Sequence, residues 1–150
     1  MEEREITLTL RDFLLSKGWQ ILSVHFPGAQ GGFSISVNGK SRSWVPDIIA
    51  SKNSVVIIVE CKPKYSRGDV DKLNIMFSNP KIFKKFKQKL GLTSDFVFQK
   101  AIGFQAAHFD QENIPNDFII FLVKEKIISR FCLESVLTQP YIRLCKFVNW

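Results

Sequence analysis

The chain has 150 residues, 45% of them hydrophobic with fourteen Phe, and 21 basic against 14 acidic side chains for a formal net charge of +7. That length suits one domain with a substantial core, and the composition excludes a disordered chain. The charge favours an acidic partner, nucleic acid ahead of membrane, and no apolar run approaches the length of a membrane span.

Cys61, Cys132 and Cys145 are odd in number and lack C-x-x-C spacing, so they indicate neither a disulfide framework nor a zinc site. They read as buried thiols in a reducing compartment. The opening Met1-Glu2-Glu3-Arg4-Glu5 is unlike a secretory signal, and the expectation is a cytoplasmic protein.

Residues 2–17 are predicted to form a helix with Ile6, Leu10, Phe13 and Leu14 on one stripe and Gly18 just past its end. Glu3 lies one turn before Ile6 and Leu10, on the buried side, whereas Glu5 points further round; acids in a first turn also suit the helix dipole. Residues 19–26 read as a strand with Leu22, Val24 and Phe26 on one face and Ile21, Ser23 and His25 on the other. His25 is expected to be an ordinary polar residue of that face. Residues 27–32, rich in Gly, form a loop. Residues 33–37, the pair Asn38-Gly39 and residues 40–44 predict a hairpin with a type I′ turn. Lys40 and Arg42, near its tip, are placed to reach phosphates. Its second strand runs on toward Pro46-Asp47, so three strands are expected to form a meander.

Residues 44–50 and 55–61 are two apolar, β-branched runs around the polar break Ser51-Lys52-Asn53-Ser54, a second hairpin signal. Asp47 and Glu60 are the only charges inside these runs and Lys62 directly follows the second, and burying them demands that they serve one another or a metal. A turn centred on Lys52 and Asn53 sets Asp47 opposite Ile58. Asp47, Glu60 and Lys62 then share one face, with the two carboxylates diagonal neighbours about 7 Å apart. Cys61 points to the other side. Hard divalent cations bind carboxylate oxygens, and a neighbouring lysine can orient or activate a water and balance charge on a phosphate.

Beyond Lys62, a helix capped by Ser66 or Asp69 buries Val70, Leu73 and Phe77 and stops before Pro80. A second helix over residues 81–90 buries Ile82, Phe83, Phe86 and Leu90, turns its lysines outward, and is closed by Gly91. No acid occurs between Lys72 and Ser94. Lys81, Lys84, Lys85 and Lys87 are therefore candidates for sequence-independent backbone contacts, and Lys64, just past the Glu60–Lys62 run, is a further one. Residues 96–104 and 117–124 are predicted strands, residues 108–116 a loop, residues 125–137 a helix with Ile128, Phe131, Cys132 and Ser135 at helical spacing, and residues 141–148 a further alternating strand.

Pro46-Asp47 followed by Glu60-Cys61-Lys62 resembles the signature of the PD-(D/E)xK nuclease superfamily. The resemblance implies a restriction-endonuclease-like α/β domain spanning residues 1–150, a central mixed sheet flanked by helices. It implies a magnesium-dependent DNA endonuclease, with manganese as a substitute metal. By resemblance Asp47, Glu60 and the carbonyl of Cys61 hold the metal and Lys62 is catalytic. Related nucleases place a further glutamate on the first helix, ahead of a Gly-aromatic pair such as Gly18-Trp19; Glu3 is the candidate here and Glu5 the reserve. A chain of this size is expected to act as a homodimer or as the cleavage subunit of a larger assembly, in restriction, nicking or transposition. The alternatives are a Holliday-junction resolvase and, from another class, a non-catalytic nucleic-acid-binding module of the same fold. Charge-driven backbone binding does not separate DNA from RNA.

Overall fold

A computed structural model describes residues 1–29, 33–36, 43–93, 95–109, 115–124 and 127–132, with backbone alone at 43 and 127–132. The elements are α1 (Glu3–Ser16), β1 (Gln20–Val24), β2 (Ile35–Ser36), β3 (Ser43–Trp44), β4 (Ile48–Lys52), β5 (Val55–Cys61), α2 (Arg67–Ser78), α3 (Pro80–Leu90), β6 (Val97–Gln105), a 3₁₀ turn at Ala106–His108, β7 (Phe118–Lys124) and β8 (Ile127–Cys132). Six strands form a mixed sheet in the order β1-β4-β5-β6-β7-β8. Strand β4 runs antiparallel to both β1 and β5, β6 lies parallel to β5 and β7, and β8 is antiparallel to β7.

Helices cover both faces of this sheet, which is why β5 and β7 are apolar along almost their whole length instead of alternating. On one face Ile6, Leu10 and Leu14 of α1, spaced four residues apart, pack on Ile48, Ala50, Ile57, Val59 and Cys61. Ile6 and Leu10 are fully buried, each contributing on the order of 1.5–3 kcal/mol. On the other face Val70, Leu73 and Met76 of α2 and Ile82 and Phe86 of α3 pack on Ile49, Val56, Ile58, Ile102 and Phe104. Asn79 serves both helices: it ends α2, and its side chain caps α3 by accepting from the N–H groups of Lys81 and Ile82. Gly91 closes α3 with φ 66°, a conformation that glycine adopts without a steric penalty.

Four expectations from the sequence are corrected. The turn between β4 and β5 is made by Asn53 and Ser54, with φ 48° and 62°, so Lys52 pairs with Val55 and Ile48 with Val59. That is a shift of two residues from the expected register. An even shift keeps every side chain on its face. Extending the ladder by one rung then sets Asp47 directly opposite Glu60 instead of diagonal to it. The expected meander does not form: β2 and β3 make a separate two-stranded sheet, while β4 pairs with β1 and β5. In β1 the register shifts between Ile21 and Ser23, a bulge at Leu22 that puts Ile21 and Val24 on the α1 face together. Residues 127–132 are strand, not helix. The three- and four-residue spacing of Ile128, Phe131 and Cys132 mimicked a helix, whereas the β-branched Ile127-Ile128 pair suits a strand closing the edge of β7. The Asn38-Gly39 turn, the rest of the predicted C-terminal helix and the 141–148 strand lie outside the described residues.

Gly103 of β6 sets how closely α1 approaches. It pairs with Cys61, and a Cβ added there would stand 3.0 Å from Leu10 Cδ2. A bulkier side chain must displace the fully buried Leu10 side chain or push α1 from the sheet. Gly103→Val is expected to destabilise the fold by about 1–3 kcal/mol, read as a lower urea midpoint at unchanged slope.

Candidate functional site

The charged residues at the ends of β4 and β5 meet where the sheet's antiparallel and parallel halves join. Asp47 and Glu60 are 5% and 2% exposed, a degree of burial that carboxylates tolerate only with partners. Asp47 Oδ2 accepts the Cys61 N–H at 2.6 Å, and the Asp47 carbonyl accepts the His25 N–H at 2.8 Å. One residue thus ties β4 to both neighbouring strands. Glu60 Oε1 lies 2.6 Å from Lys72 Nζ, which also donates to the Val45 carbonyl at 3.1 Å.

Lys62 follows β5, and its N–H donates to the Gly103 carbonyl. Its ammonium turns round the end of the sheet to Glu3 Oε1, 2.8 Å away, at the start of α1. Between the two glutamates of the first turn the geometry is clear. Glu3 reaches Lys62, whereas Glu5 accepts the Glu2 N–H and closes the helix end.

Burial pushes the Glu60 carboxyl up from its ordinary 4.5 to about 7, against the opposing Lys72 ammonium and with help from Asp47 and Asp69. Burial also raises Asp47, partly offset by its bond to the Cys61 N–H and by Lys62. For Lys62 burial disfavours the charged form, but the hydrogen bond to Glu3 and the fields of Asp47 and Glu3 outweigh it and raise the pKa. Lys62 is therefore an ammonium at neutral pH, a hydrogen-bond donor and not a base. The thiol of Cys61 is fully buried, its pKa driven up by desolvation and by Asp47 and only partly lowered by Thr7. It faces α1, so Cys61 can serve the site only through its backbone.

Asp47 feels Glu3, Lys62 and Lys72, Glu60 feels Asp47, Asp69 and Lys72, and Lys62 feels Glu3, Asp47 and Asp69. With Glu60 ionised these carboxylates outnumber the two ammonium groups, a state that a bound cation would favour. Among the described residues no group of three His, Cys, Asp or Glu side chains is arranged to hold a metal ion. The donor set at the strand ends is instead two carboxylates and a nearby backbone, which suits a hard cation that keeps several waters.

Two neighbours escaped the sequence reading. Lys72 sits beside the buried stripe of α2, one position before Leu73, and its only sequence signal is that adjacency. His25 lies next to Asp47 across β1; its Nδ1 is buried without a hydrogen-bond partner among the described residues. The bulge at Leu22, invisible in the periodicity, sets its final placement.

The other basic candidates divide. Lys64 is exposed two residues past Lys62, and Lys81 and Lys84 are exposed on α3. Lys85 reaches the Ser36 carbonyl at 3.4 Å, and Lys87 stacks over Phe83 and Phe98 at 4.8 and 5.4 Å. Both contacts hold α3 to its surroundings. Lys40 and Arg42 lie outside the described residues. No helix among the described residues is long and apolar enough to cross a membrane. A search of protein-family models finds no match to the chain, and a search of curated proteins finds no significant one.

The pH dependence of stability follows from Glu60. A carboxyl with its folded pKa above its unfolded one binds more protons folded than unfolded between about 4.5 and 7, so stability falls as pH rises through that window. With chelator present, the melting temperature of wild type relative to Glu60→Gln is expected to fall from pH 5 to pH 8. A flat difference would contradict the raised pKa.

Proposed function

We propose that the protein is a magnesium-dependent DNA endonuclease with a restriction-endonuclease-like fold. The observation that carries this reading is the pair of buried carboxylates, Asp47 and Glu60, on facing strand ends, with the Lys62 ammonium held by Glu3 and acting on Asp47. Asp47, Glu60 and the Cys61 carbonyl would hold the cation, and the excess of carboxylates over ammonium groups, once Glu60 is ionised, fits a divalent one. When bound, magnesium would supply a polarised water and neutralise charge on the scissile phosphate, and manganese suits the same oxygen donors.

The chain's own residues supply the rest. In hydrolysis a water oxygen bonds to phosphorus and releases a proton to solvent, the ester P–O bond breaks, and the leaving oxygen takes a proton from solvent. Charge accumulates on the non-bridging oxygens as this happens. The Lys62 ammonium, kept charged and aimed by Glu3, donates to those oxygens or to the water. Asp47 is fixed by two backbone bonds, so little reorganisation is needed at its carboxylate. Lys64, Lys81 and Lys84 are exposed cations that would take backbone phosphates without reading sequence. Duplex cleavage on both strands would call for a homodimer or a partner subunit, since one site cuts one strand.

The test is cleavage of supercoiled plasmid and of a branched junction with magnesium, manganese or EDTA. Cutting is expected with either metal and not with EDTA, and Asp47→Ala and Lys62→Ala should each lower the rate at least about a hundredfold. A preference for the junction would make the protein a resolvase. Metal-independent cutting, or full activity in both variants, would overturn the assignment. Retained DNA binding without cleavage by the wild type would favour the binding module.

Lys81→Glu with Lys84→Glu is expected to weaken DNA binding alike across sequences. It should flatten the dependence of log affinity on log salt by about one unit for each phosphate no longer neutralised. Fluorescence anisotropy at several salt concentrations reads both effects.

A further inference from the structure

Glu60 is the most deeply buried charge of the site, and the cation beside it is part of the chain. Lys72 Nζ lies 2.6 Å from Glu60 Oε1 and donates to the Val45 carbonyl at 3.1 Å. Val45 precedes Pro46-Asp47, so one ammonium bridges the segment that carries Asp47 and the strand that carries Glu60. That is the bridge a divalent cation would make between the two carboxylates. The Lys72 side chain is 31% exposed against 2% for Glu60. The lysine therefore has solvent to move into and the carboxylate does not. Lys62, by contrast, is engaged with Glu3 on the α1 side.

We infer that Lys72 is the built-in counter-ion of the carboxylate pair and competes with the divalent cation for Glu60. The inference rests on the reading of Asp47 and Glu60 as cation ligands. Before the cation arrives, Lys72 neutralises Glu60 and holds the two strand ends together. Cation binding displaces it from Glu60, which weakens metal affinity and frees an ammonium at the mouth of the site to meet a phosphate. Lys72 is thus a positioning residue in the metal-free protein and a candidate phosphate ligand in the loaded one.

The experiment measures manganese binding by calorimetry on the full chain, for wild type, Lys72→Met, Lys72→Arg and Glu60→Gln. Lys72→Met keeps the aliphatic stem and removes the charge, and at a pH above the raised Glu60 range, where both proteins hold Glu60 ionised, it should bind manganese about tenfold more tightly than wild type. Lys72→Arg should stay near wild type, and Glu60→Gln should lose the site. Unchanged or weaker binding in Lys72→Met, with Glu60-dependent binding intact in wild type, would overturn the competition and leave the metal site standing. Absence of Glu60-dependent binding in both proteins would overturn the metal reading and this inference with it.

Circular dichroism checks folding, and a second readout covers a Lys72→Met that folds poorly. Acetic anhydride labelling of wild type, followed by mass spectrometry, should show Lys72 acylated faster when magnesium is added while exposed Lys84 is unaffected. Equal Lys72 labelling with and without magnesium would also refute the displacement.

Discussion

The hydrogen bond from the Cys61 N–H to Asp47 Oδ2 is the contact on which the end of the sheet depends. The β4–β5 ladder ends at Ile48 and Val59, and beyond it a side chain, not a backbone carbonyl, satisfies the last donor. The Asp47 carbonyl is given to β1 instead. Without that carboxylate a buried N–H would stand unpaired, a loss of about 1–3 kcal/mol. Asp47 is therefore structural in the same stroke as it is a candidate ligand, and the bond fixes one carboxylate opposite the other.

Holding two acids opposite one another at the end of an apolar hairpin is unfavourable unless each has a partner of its own. The two sheet faces divide that work. From one side α1 brings Glu3, which restrains Lys62; from the other α2 brings Lys72, which meets Glu60. Neither helix meets the site through its apolar stripe, yet those stripes place it: Ile6 and Leu10 seat α1, and Val70, Leu73 and Met76 seat α2. The ion pair of Lys62 with Glu3 is partly exposed and worth little in stability on its own. Its consequence lies in charge state, since it keeps Lys62 protonated beside two carboxylates.

How much of this was legible in the sequence depended on whether the signal was local. The β4–β5 hairpin announced itself by two β-branched runs, and its turn was misplaced by one residue because Lys52-Asn53 and Asn53-Ser54 are both acceptable turn pairs. The faces are the same for either turn pair, because moving a turn by one residue changes the register by two. The buried stripes of α1, α2 and α3 follow in the main from 3.6-residue spacing, but Phe77, Phe83 and Leu90, expected to be buried, are half-buried, and Met76 takes the buried place on α2. Lys72 and His25 do not follow from that spacing, since each enters through tertiary placement: one by how α2 lies across β5, the other by a bulge that periodicity cannot register. Strand β8 failed for a related reason, a short segment whose apolar spacing fits helix and strand alike, decided by the open edge of β7.

The same distinction bears on the lysines of α3. A run without acids reads as a single basic surface, but the helix lays its lysines out around its axis, and tertiary neighbours claim some of them. Lys85 and Lys89 donate to carbonyls of the β2 segment, and Lys87 covers two phenylalanine rings. The contacts of Lys85 and Lys89 fasten α3 to the β2–β3 ribbon, whose second strand leads directly into Val45, Pro46 and Asp47. Net charge in a segment is thus an upper bound on its electrostatic surface. Part of what looks like a phosphate-binding face is the mounting that holds the approach to the carboxylate pair.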